Sequence, residues 1–149
     1  MTGFSATTAF RLVRRLAAIG PDSPSLYLLI ADAPAMQAIQ ADIAAEVQVQ
    51  IGVTLRAFAA VDVRLDRLED VFAQTPDSRV TLITLDRWLS KLVTALDRNV
   101  VFLTRSGAVL LIASPEVAER LLPAAPNLRN RLTDVFAIRL EQAFEGPAA

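Results

Sequence analysis

The sequence predicts one α/β domain over residues 1–149, a three-layer α/β/α sandwich with a mainly parallel five-stranded sheet and a helix ahead of the first strand. Short apolar runs of strand length alternate with segments whose apolar residues recur every three or four positions. Residues 26–31 and 108–113 are apolar without interruption, which is typical of strands buried on both faces. Helical segments between successive strands favour right-handed crossovers and hence a parallel sheet.

Start and stop signals place the individual elements. The helix ahead of the first strand ends at Gly20, a residue that suits a C-terminal cap. After the strand at 26–31, Asp32 is expected to cap the second helix, with Pro34 pre-set for its first turn. Ser114-Pro115-Glu116 also has the form of a helix start, because a hydroxyl cap precedes a proline and an acid. The other predicted elements are strands at 53–59, 80–85, 108–113 and 135–140, and helices around 65–72, 89–100 and 127–132.

The composition excludes several classes of site. The chain has no Cys and no His, so disulfides, thiolate nucleophiles, Cys/His zinc sites and His-based catalytic triads are ruled out. Its 15 Lys+Arg and 16 Asp+Glu give a net charge of −1, so no basic excess supports nucleic-acid binding. The apolar runs are shorter than the ~18 residues of a membrane helix, and the first residues lack a signal-peptide pattern. We therefore expect a cytoplasmic protein with neither a membrane nor a nucleic-acid partner.

The loop after the strand at 26–31 reads Asp32-Ala33-Pro34-Ala35. A phosphate-binding loop needs glycines whose N–H groups converge, followed by Lys and Ser/Thr for phosphate and Mg²⁺. This loop has no glycine, its proline lacks an N–H, and Asp32 places negative charge where a phosphate would lie. The sequence therefore predicts no bound nucleotide, no other cofactor, no metal site and no enzymatic activity.

The strand at 80–85 is followed by Asp86, as in a Walker B strand, whose Asp holds Mg²⁺ in P-loop NTPases. The next position, often a catalytic acid in ATPases, is Arg87. Asp is also a preferred helix cap, and we favour a capping role for Asp86 over a metal role.

Several segments stand in a characteristic order along the second half of the chain. They are 79–86, Leu96-Asp97-Arg98-Asn99, 106–111, Ser114-Pro115-Glu116, Leu121, Ala125-Pro126-Asn127-Leu128 and Asp134-Val135-Phe136. This order resembles the C-terminal half of inactive STAND domains, degenerate relatives of the signal-transduction ATPases with numerous domains that occur in bacterial conflict and signalling proteins. The opening helix and residues 26–32 are similar to the start of those domains.

The resemblance implies a P-loop-NTPase-like fold with an eroded phosphate loop. It also implies a non-catalytic module that binds an effector or regulatory protein in a bacterial signalling or defence system, with a homo-oligomer left open. We expect the partner at the carboxyl ends of the strands, where Arg and Trp side chains suit an interface. The candidate partner-binding residues are Arg87, Trp88, Asn127, Arg129 and Arg131.

A receiver-like phosphoacceptor switch is the alternative function. Asp32, Asp86 and Ser114 follow the first, third and fourth predicted strands, where receivers keep acidic, phosphoacceptor and hydroxyl residues. A working receiver has an acidic pair after the first strand and a lysine after the fifth, whereas this chain has one acid, and Arg139 and Glu141. A hydrolase ranks third, because the chain lacks both a Gly-x-Ser-x-Gly motif and a histidine.

Overall fold

The computed structural model describes residues 4–20, 23–59, 80–103 and 107–140. The strands are β1 (Ser5–Thr8), β2 (Ser25–Ile30), β3 (Arg56–Ala59), β4 (Val80–Leu85), β5 (Ala108–Ala113) and β6 (Asp134–Arg139). The helices are α1 (Ala9–Ile19), α2 (Met36–Gln50), α3 (Ser90–Arg98), α4 (Val100–Leu103), α5 (Pro115–Ala124) and α6 (Pro126–Arg131). The strands form one parallel sheet in the order β1-β6-β2-β5-β4-β3.

Helices cover both faces of this sheet, as the uninterrupted apolar strands predict. Successive residues of a strand point to opposite faces, so Leu28 of β2 packs with α3, α4, α5 and α6, whereas Leu29 packs with α1 and α2. All six residues of β4 and all six of β5 are buried. The three-layer α/β/α fold class is therefore confirmed.

The sheet has one strand more than the sequence predicted. β1 is only four residues long, with exposed Ser5 and Ala6 and buried Thr7 and Thr8. Its buried positions are polar, so hydropathy gave no sign of a strand. Thr8 also caps the following helix, since its Oγ1 accepts a hydrogen bond from the Arg11 N–H at 3.3 Å.

The predicted helix boundaries are met at some positions and missed at others. Gly20 ends α1 as expected, with a φ of +106° and an N–H that donates to the Leu16 carbonyl oxygen at 3.0 Å. The helix predicted at 89–100 is divided at Asn99, whose side-chain amide donates to the Ala95 carbonyl oxygen at 2.8 Å. The helix predicted around 65–72 lies outside the described residues. No helix in the described part of the chain has the length and apolar character needed to cross a membrane.

Candidate functional site

The loop at the carboxyl end of β2 forms a tight 3₁₀ turn over Ala33–Ala35. The Ala35 N–H donates to the Asp32 carbonyl oxygen at 3.0 Å, and the Met36 N–H donates to the Ala33 carbonyl oxygen. Pro34 has no N–H. Three consecutive backbone positions therefore offer no N–H to an anion, and the exposed Asp32 side chain adds negative charge. The residues of this turn do not fit the phosphates of a nucleoside triphosphate.

Two of the three caps predicted for strand-to-helix turns, at Ser114 and Asp32, have different outcomes. Ser114 caps α5 as predicted, because its Oγ accepts a hydrogen bond from the Val117 N–H at 3.4 Å. Asp32 makes no capping hydrogen bond with its side chain, so that prediction is wrong. The 3₁₀ turn separates Asp32 from α2, which begins only after Ala35.

Asp86 does not cap a helix either. The helix after β4 begins at Ser90, with Leu89 in the cap position. The Asp86 carboxylate pairs instead with the Arg87 guanidinium, 3.7 Å away, and both side chains are exposed. Within the described ranges, no three acidic side chains gather into a group able to hold a metal ion. The capping interpretation of Asp86 is therefore wrong, and the residue is an acid in an exposed ion pair, a contact that contributes little.

The strand order separates the acids that a receiver brings together. Ile30 of β2 and Leu85 of β4 both lie in register with Ala113 of β5, so β5 stands between them. Strands are spaced about 4.8 Å apart, which puts the ends of β2 and β4 roughly 10 Å from each other. A receiver-like sheet has the order 2-1-3-4-5, in which the first and third strands are neighbours. In this chain the five predicted strands lie in the order 2-3-4-1-5, so the receiver arrangement of Asp32 and Asp86 is absent.

A cleft of about 620 Å³ opens at this carboxyl edge, between α2 and the ends of β3 and β4. Gln37 and Gln40 line one wall, and Phe58, Thr84 and Asp86 line the other. Asp86 is the single charged residue among the described residues that line it. The cleft offers amide and carboxylate groups but, within the described ranges, no cation for a phosphate.

Trp88 lies close to the same edge and is half-buried. Its ring packs against the core shared by β2, β4, β5 and α5. The Arg120 guanidinium of α5 stands 4.3 Å from the ring centroid, which is a cation–π contact. The indole therefore packs partly on the core, with the Arg120 guanidinium against its ring, and part of the residue is exposed to solvent.

Asn127, Arg129 and Arg131 lie at the opposite edge of the sheet. They belong to α6, which directly precedes β6, and the adjacent Thr133 N–H donates to the carbonyl oxygen of Leu26 at the start of β2. The Asn127 side chain donates to Asp97 Oδ2 at 3.2 Å. Arg129 lines a groove beside the first residues of β1 and β6, and Arg131 is exposed.

The five candidate residues therefore do not share one face, and the expectation that they gather at the carboxyl ends is wrong. Their role in binding a partner stays a prediction. The sequence did indicate the observed position of Asn127, Arg129 and Arg131. A helix that directly precedes a parallel strand must end at the amino edge of the sheet, where that strand begins. The groove itself had no sequence signal, because β1 was not predicted.

Comparisons with known proteins bear on the fold and assign no family. No protein-family model matches the sequence, and no curated protein matches it. Among solved structures, the DnaC helicase loader is similar, with a TM-score of 0.57 and 8% identity over 87% of each chain. The Aeropyrum pernix ORC1 protein in complex with DNA has a TM-score of 0.55 and 16% identity over 87% of this chain and 43% of that chain. Drosophila ORC bound to AT-rich DNA and Cdc6 has a TM-score of 0.59 and 11% identity over 88% of this chain and 29% of that chain.

At identities of 8–16%, these similarities show a shared fold and nothing finer. The chain matches most of the helicase loader chain but less than half of either origin-recognition chain. A P-loop-NTPase-like fold, which the sequence resemblance implied, is thereby confirmed. The inactive STAND type stays a prediction.

Proposed function

We propose that this protein is a non-catalytic, protein-binding regulatory module built on a P-loop-NTPase-like fold. The main support for the proposal is the 3₁₀ turn over Ala33–Ala35. The N–H groups of residues 35 and 36 donate hydrogen bonds to carbonyl oxygens within this turn, so they are not available to a phosphate. Folds of this class place the nucleotide phosphates at that loop. Asp32 further disfavours an anion there, since its carboxylate is exposed at the same turn. Function then rests on a surface.

The finer assignment to inactive STAND domains of bacterial signalling or defence rests on the resemblance of several sequence segments. Two of those segments contact each other in the fold: Asp97 accepts hydrogen bonds from the Asn127 side chain and from the Leu128 N–H. That contact supports treating the segments as parts of one structural unit. A cytoplasmic location and an effector or regulatory partner belong to the same proposal.

DNA binding is not part of this proposal, although two of the similar structures contain DNA. Proteins bind DNA largely by neutralising phosphates with Lys and Arg. This chain has 15 such residues against 16 acids, which leaves no positive excess. The charge balance therefore favours a protein partner.

Calorimetric titration with Mg-ATP tests the non-catalytic half of the proposal. We expect no binding at micromolar affinity, because ~8 kcal/mol of binding free energy needs phosphate contacts that the described loop lacks. Asp86→Asn is the matched variant, since it removes the Walker-B-like acid from an exposed position. Micromolar affinity in the unaltered chain would overturn the proposal, and its loss in Asp86→Asn would show that the Walker-B-like acid takes part in the binding.

Affinity capture from the native host tests the protein-binding half. We expect one protein to co-purify in stoichiometric amount and to rebind when purified. A chain that captures no protein under these conditions would refute this half, whatever the result with Mg-ATP.

A further inference from the structure

We draw no further inference here: the strongest candidate, the cleft at the carboxyl edge of the sheet between α2 and the ends of β3 and β4, has Asp86 as the single charged residue of its described lining, and because that carboxylate is already paired with Arg87, nothing in the structure shows what occupies the cleft.

Discussion

The Tyr27 hydroxyl is buried among apolar side chains and has no hydrogen-bond partner within the described part of the chain. The whole residue has 0% of its surface exposed. Its ring stacks near Phe136, with centroids 6.3 Å apart and planes inclined by 18°. The ring therefore stabilises the core next to α1 and α2, whereas the hydroxyl loses its bonds to water without a replacement.

Tyr27→Phe is expected to raise the free energy of unfolding by about 1 kcal/mol, because it removes an unpaired buried oxygen and keeps the ring. Urea unfolding followed by the fluorescence of Trp88, the single tryptophan, measures the change. Tyr27→Leu is the control, since it also removes the ring and should lower the free energy of unfolding. A Tyr27→Phe protein that is less stable than the unaltered chain would show that the oxygen is hydrogen-bonded in solution.

At the scale of single elements, α6 depends on a neighbouring helix for its first turn. It has six residues, and the Ala125 side chain in its cap position cannot accept a hydrogen bond. Asp97 of α3 supplies the acceptor, because its Oδ1 lies 2.9 Å from the Leu128 nitrogen. A carboxylate at a helix N-terminus is also favoured by the helix dipole. A residue thirty-one positions away thus performs the role of a local cap.

Asp97→Ala should lower the free energy of unfolding by about 1–2 kcal/mol, as the loss of a helix cap does. Asp97→Asn keeps one oxygen for the Leu128 N–H and should cost less. Glu119→Ala, at an exposed position of α5, is the matched control and should stay within about 0.5 kcal/mol. Urea unfolding gives the free energies, and amide exchange at Leu128 reports the cap directly. If Asp97→Ala and Glu119→Ala had equal stability, the cap would be of no consequence.

At the scale of the whole molecule, the order of the strands decides which loop residues meet at the carboxyl edge. β5 separates β2 from β4, so Asp32 and Asp86 end strands that are not neighbours. In a receiver-like sheet the first and third strands are neighbours, whereas the ends of β2 and β4 lie roughly 10 Å apart. The topology therefore opposes phosphorylation of Asp86, even though the aspartate follows a buried strand.

Incubation with acetyl phosphate and Mg²⁺ should add no phosphate to the chain, as measured by intact-protein mass spectrometry. A functional receiver domain in the same mixture is the positive control. Asp86→Ala should change the free energy of unfolding by less than about 0.5 kcal/mol, because the residue is exposed and caps no helix. Phosphate on the unaltered chain, absent from Asp86→Asn, would restore the receiver interpretation.

The strands buried on both faces were predictable because their burial leaves a local sign in the sequence. β4 and β5 occupy the residues predicted for them, and β2 and β6 begin one residue earlier than predicted. The composition of the loop after β2 can also be read from the sequence, since a missing glycine and the N–H lost at Pro34 are properties of the residues themselves. β1 was not predictable, because Thr7 and Thr8 are polar residues that only the docking of α1 and the pairing with β6 bury.

The amino-acid sequence by itself determined the fold class, the buried strands and the chemistry that is absent from the loop after β2, because each depends on neighbouring residues. The tertiary structure decided what depends on distant residues: the strand order, the cap that Asp97 provides to α6, and the separation of Arg87 and Trp88 from Asn127, Arg129 and Arg131. It also formed the groove beside the first residues of β1 and β6, whose lining comes from residues 4–5 and 122–135. Residues more than a hundred positions apart meet there because β1 pairs with β6, and no local pattern records that pairing.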